Sequence, residues 1–143
     1  NFLLGIRDKV SDIHQTIIDI RSSRSQLNDL KSKISDKYPD IESTIIDVIS
    51  RINLVEEKLY QTKNRSGQDP LNFPIRLNNK LAHLSSVASV GNFKPTDQMY
   101  NVRDELIGLI DIELKTWQDI KENDLVKLNS TILENNIQLI TIN

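Results

Sequence analysis

Chemistry in this chain would have to start from few groups. His14 and His83 are the two imidazoles, and there is no cysteine, so thiolate nucleophiles, disulfides and cysteine-ligated metals are excluded together. The histidines fall on different predicted helices, each beside an apolar seam rather than on it, and read as ordinary solvated or interfacial side chains. Neither a His-Glu-x-x-His pattern nor a Glu-x-x-His pair occurs, which removes the zinc-peptidase and di-iron uses of helical proteins. Gly5, Gly67, Gly91 and Gly108 are too scattered to cradle a phosphate. The acidic neighbours Glu56-Glu57 and Asp104-Glu105 diverge by about 100° on a helix, while Asp8 and Asp12 share a face. Glycoside cleavage needs two carboxylates across a sugar-sized cleft, so these acids read as a solvated outer face. No catalytic residue, cofactor or metal ligand is assigned from the sequence.

One segment departs from this pattern. Asp69-Pro70-Leu71-Asn72-Phe73-Pro74-Ile75-Arg76-Leu77-Asn78-Asn79-Lys80-Leu81 carries more asparagine and proline than helix propensity favours, and Lys94-Pro95-Thr96-Asp97-Gln98 follows it. Asp69, Asn72, Arg76, Asn78, Asn79 and Asp97 form the candidate cluster. In a structural role Asp69 and Asn72 cap the third helix, and Arg76 or Asn79 bonds the carbonyls of the preceding loop. In a functional role the same amides and cations make a recognition surface. The first is preferred, because loop backbone next to a core must find partners.

The elements that would position this cluster are helical. Leu3, Ile6, Val10, Ile13, Ile17, Ile20, Leu27 and Ile34 follow steps of three and four, with Arg24 and Lys31 at two late seam positions, predicting a helix from Phe2 to Lys37. Tyr38-Pro39 ends it, since a residue before proline is pushed out of the α region. A second helix runs from Pro39 or Asp40 on the seam Ile41, Ile45, Val48, Ile52, Val55, Leu59, and a loop of about a dozen residues follows. The third is expected from Pro74 to Val90, stopped at Gly91-Asn92. The fourth, capped by Thr96, carries Met99, Val102, Leu106, Leu109, Ile110, Leu114, Trp117 and Ile120, with Trp117 as a core filler. Asn123-Asp124 allows recapping, and Leu125, Leu128, Ile132 and Leu133 suit a bent continuation or a short fifth helix; Ile137 to Ile142 could be extended. These lengths and turns predict a single all-α domain, a four-helix bundle, most simply up-down-up-down.

Composition agrees with that class. The 143 residues hold 18 Lys plus Arg against 20 Asp plus Glu, a net charge of −2, with no concentrated basic face for nucleic acid. The longest uncharged run, Leu81 to Phe93, is far short of the roughly 20 apolar residues of a membrane span. The sequons Asn64-Arg65-Ser66 and Asn129-Ser130-Thr131 are common by chance. Asn1 is followed at once by Phe2-Leu3-Leu4 in helical register, so the chain reads as a piece of something longer.

Gln68-Asp69-Pro70-Leu71-Asn72-Phe73-Pro74-Ile75-Arg76-Leu77-Asn78-Asn79-Lys80-Leu81-Ala82, Leu84, and then Pro95-Thr96-Asp97-Gln98 with Tyr100 and Val102, resemble the C-terminal helical region of large bacterial BNR/Asp-box, sortilin-like (VPS10-type) repeat proteins labelled glycosyl hydrolases. Ile6-Arg7-Asp8-Lys9-Val10-Ser11 and the stretch from Ile20-Arg21 to Gln26-Leu27 look similar to the start of that region. The resemblance implies an exported parent protein whose β-propeller lies N-terminal to this chain. It implies a non-catalytic accessory or assembly module that packs on or extends from that propeller. The length of the first helix beside the shorter third leaves an apolar overhang that the tail or a second copy could cover, and the alternative function is a carbohydrate or small-ligand site between the long loop and the third helix, using Arg76, Asn78 and Asn79. None of the Asp-box motifs of such propellers occurs in these residues, and no catalytic residue is carried over.

Overall fold

A computed structural model describes residues 2–34, 37–60, 76–90 and 94–135. The predicted stop at Gly91-Asn92, the long loop, and the tail from Ile137 to Ile142 lie outside the described residues. The architecture is all-α, with four helices packed together: α1 (Phe2–Ile34), α2 (Pro39–Leu59), α3 (Leu77–Ala88) and α4 (Asp97–Asp119), the last running through a π-helical stretch (Ile120–Leu125) into α5 (Val126–Glu134). Described boundaries fall within three residues of expectation: α1 ends at Ile34 rather than Lys37, and α3 starts at Leu77 rather than Pro74, with Arg76 as its N-cap residue.

The seam of α1 is a strict heptad. Ile6, Ile13, Ile20, Leu27 and Ile34 are seven apart and all buried, with Phe2, Ile17 and Leu30 beside them. A 3.5-residue repeat on a 3.6-residue helix drifts slowly around the axis, so this seam faces its partners only if the helices coil left-handedly. The facing positions are Ile41, Ile45, Val48, Ile52, Val55 and Leu59 from α2, Leu81 from α3, and Leu106, Ile110 and Trp117 from α4.

Cross-helix pairs fix the directions. Arg21 and Arg24 of α1 reach Glu56 and Asn53 of α2, which sets those two antiparallel. Phe2 meets Tyr100, Lys9 meets Asp111, and Leu27 and Leu30 line one groove with Leu128 and Ile132, so α1 and the α4–α5 rod run parallel. Arg51 with Asp124 and Lys58 with Glu113 make α2 antiparallel to that rod. The start of α3 lies beside Leu109, Ile112 and Glu113. Were α3 parallel to α4, its end would lie about 40 Å from Asp97, too far for nine residue steps of at most about 3.5 Å each. It is therefore antiparallel, and α2 and α3 follow one another along one seam of α1. The order of directions is up, down, down, up rather than the simplest alternation, because the chain leaves α2 and enters α3 at the same level.

The π-helical stretch has a readable cause. Buried positions on the rod go Leu106, Ile110, Glu113, Trp117, Ile120, then half-buried Leu125, then Leu128 and Ile132. The step from 120 to 125 is five residues where an α-helical seam takes three or four. One extra residue in a wider turn keeps Leu125, Leu128 and Ile132 on the inner face.

Candidate functional site

The candidate cluster divides. Asp69 and Asn72 lie outside the described residues, so their expected capping roles do too. Arg76 is the N-cap residue of α3, in extended conformation, and its side chain makes no cap bond. Asn78 turns inward and is buried, while Asn79 is half-buried. Asp97 opens α4, exposed, at the other end of α3 from Arg76; beside it Thr96 is the N-cap, its Oγ accepting from the Met99 amide at 3.1 Å. Arg76 and Asp97 are thus separated by the length of α3 and do not share a site.

Around Arg76 three helices, α2, α3 and α4, meet. Lys58 from the end of α2, Arg76, Leu77 and Lys80 from the start of α3, and Leu109, Ile112 and Glu113 from α4 line a shallow pocket of about 280 Å³. Lys58 Nζ stands 3.4 Å from Glu113 Oε1, and Glu113 is buried, so that acid is neutralised within the pocket wall. Arg76 Nε and Asn78 Oδ1 are buried and have no hydrogen-bond partner among the described residues. A buried donor or acceptor left unpaired costs about 1–3 kcal/mol, so such atoms mark where a further group belongs. Leu109 and Ile112 are exposed at the pocket's edge.

The remaining charges at helix junctions are paired with one another. Glu56, only 6% exposed, accepts from Arg21 Nε at 3.1 Å and Arg24 Nη1 at 2.9 Å, and Arg24 also donates to Asn53 Oδ1 at 2.8 Å. Glu56 is therefore turned into the helix interface rather than lying on the solvated outer face that its acidic neighbourhood suggests. Arg24 stands at a seam position of α1, and a cation at a seam draws an acid from the facing helix inward; that was the available signal. Asp8, Asp12, Asp104 and Glu105 are exposed, as are His14 and His83. Arg51 holds Asp124 through two hydrogen bonds of 2.8 and 3.0 Å, tying α2 to the π-helical stretch. The donated hydrogen bonds of that guanidinium hold the Asp124 carboxyl below the usual carboxylate range, against burial, which pushes it up. Lys9 Nζ reaches Asp111 at 2.6 Å between α1 and α4.

At the start of α1, Phe2 and Tyr100 pack edge to face at 5.0 Å, and the Arg103 guanidinium lies 4.8 Å from the Tyr100 ring and 5.3 Å from the Phe2 ring. This closes one end of the bundle with aromatic and cation–π contacts. Trp117 is buried, as expected of a core filler, and its indole Nε1 has no acceptor among the described residues. Among those residues no group of three or more acids or histidines could hold a metal, and no helix is long and apolar enough to cross a membrane. Compared with known proteins, the chain matches no family model, no curated protein and no solved structure.

Proposed function

We propose that this chain is a non-catalytic helical module of an exported, glycosyl hydrolase-like β-propeller protein, serving assembly or partner contact. The observation that carries this reading is the use of its charges. Glu56 with Arg21 and Arg24, Asp124 with Arg51, Asp111 with Lys9 and Glu113 with Lys58 each join two helices. Groups held in this way stiffen a scaffold, whereas acid–base catalysis calls for titratable groups converging on a shared cleft. The resemblance from Gln68 to Leu84 and from Pro95 to Val102 supplies the propeller setting and the exported location. The groove between the second half of α1 and α5, floored by Leu27, Leu30, Leu128 and Ile132, is the place where a second copy would fit. The test is to incubate the chain with fluorogenic glycosides while following its unfolding in urea. Cooperative unfolding with no turnover is the expected result. Turnover abolished by a single substitution in the chain would overturn it.

A second reading, a carbohydrate or small-ligand site, draws on Arg76 in the pocket wall, whose buried Nε has no partner among the described residues. Saturable binding of a glycan to the chain, lost in Arg76→Ala, would favour it over the first.

A further inference from the structure

The pocket at the meeting of α2, α3 and α4 has a chemistry of its own. Its charged groups come from every element around it: Lys58 from α2, Arg76 and Lys80 from α3, and Glu113 from α4. Glu113 is matched by Lys58, which leaves Arg76 and Lys80 as two cations without an acid among the described residues. Residues 61–75 carry Lys63 and Arg65 against Asp69, so the sequence nearby adds no net negative charge. The other wall is apolar, made of Leu77, Leu109 and Ile112, the last two exposed. The Arg76 Nε–H is buried and aims at no acceptor among the described residues.

A guanidinium is the side chain best matched to a carboxylate, through paired N–H donors, and a lysine beside it adds a point charge. The first turn of α3, whose free N–H groups begin after Arg76, adds partial positive charge to the same place. We infer that this pocket receives a polypeptide segment of a binding partner that presents a carboxylate next to an apolar side chain, the carboxylate on Arg76 and Lys80 and the apolar group on Leu77, Leu109 and Ile112. Charge complementarity selects the carboxylate, and the adjoining apolar wall selects a peptide over a sugar. This inference rests on the partner-contact reading and names the chemistry of that partner.

N-Acetyl-leucine is the minimal probe, titrated into the whole chain and followed by amide and methyl NMR shifts. Saturable shifts at Leu77, Lys80, Leu109 and Ile112 are expected. N-Acetyl-leucinamide, which lacks the charge, should bind about tenfold more weakly, and Arg76→Gln and Lys80→Gln should each weaken the acid about tenfold. Equal binding of acid and amide, absence of saturable shifts, or unchanged affinity in the variants would overturn the assignment. Lys80 is exposed, so Lys80→Gln keeps the test decisive if Arg76→Gln fails to fold. Glucuronate binding more tightly than N-acetyl-leucine would also overturn it, in favour of an acidic sugar. Turnover of glycosides would instead overturn the module reading itself, so the two failures are distinguishable.

Discussion

Replacing Arg24 with Met keeps an aliphatic stem at this position of α1 and removes the guanidinium. The Glu56 carboxylate, with its side chain 8% exposed, would then retain only Arg21, whose side chain is 54% exposed. Three bonds from Arg24, at 2.9 and 3.4 Å to Glu56 and 2.8 Å to Asn53, are lost. A hydrogen bond to a charged group contributes about 1.5–3 kcal/mol and one to a neutral group about 1 kcal/mol; the Arg24 head is partly solvated, so the expected loss is about 2–3 kcal/mol. That corresponds to a fall of about 10 °C in Tm for a chain of this size. Adding Glu56→Leu should restore stability to within about 1 kcal/mol of the parent, because removing both charges leaves no buried ion unpaired. Urea unfolding of the parent, both single variants and the double variant closes the cycle. A loss below about 0.5 kcal/mol for Arg24→Met, or a double variant no more stable than either single one, would refute the reasoning.

Four further outcomes are expected. Asp124 titrates lower in the folded chain than in the unfolded one, so the contribution of its pair with Arg51 is complete above the ordinary carboxylate pKa and is lost as pH falls through the depressed value. Asp124→Asn should therefore destabilise at pH 7, with the difference from the parent shrinking below about pH 4 in acid-unfolding curves. Leu81→Ala empties a fully buried site on α3 and should cost about 2–5 kcal/mol by chemical denaturation. Thr96→Ala removes the cap of α4 and should cost about 1 kcal/mol in the same assay. Deleting Asn123 removes the extra residue of the π-helical turn and should leave helical content by circular dichroism unchanged, whereas deleting Thr116 turns Trp117 and the residues after it off the seam and should abolish cooperative unfolding.

Much of the fold was legible because long helices with heptad seams declare themselves: Ile6, Ile13, Ile17, Ile20, Leu27 and Ile34 and the seam from Ile41 to Leu59 are buried as their spacing required, whereas Val10 is half-buried and Leu3, Val102 and Leu109, also at predicted seam positions, are exposed. Thr96 was legible as a cap because a hydroxyl before Asp97 after a proline has one evident use. Helix direction was not, since periodicity says which face is buried and nothing about which way the next helix runs. The π-helical turn was written in the sequence as the five-residue step from Ile120 to Leu125, yet a polar pair at Asn123-Asp124 resembles a helix break equally well. The inward turn of Glu56 escaped for another reason. Its neighbour Glu57 is also acidic, and only the cation at seam position 24, on another helix, decides between them. In the candidate cluster, Arg76 and Asn78 were singled out by composition, but the separation of Asp97 from Arg76 depends on the path of α3.

The central claim is that the charged and amide side chains of this chain serve its own packing and contact with a partner, not recognition or cleavage of glycans. It is tested most directly by screening the chain and Arg76→Ala side by side against a broad panel of neutral and acidic glycans. The account predicts no saturable binding by either. Saturable binding to the chain that disappears in Arg76→Ala, while the variant keeps its helical content and cooperative unfolding, would contradict it.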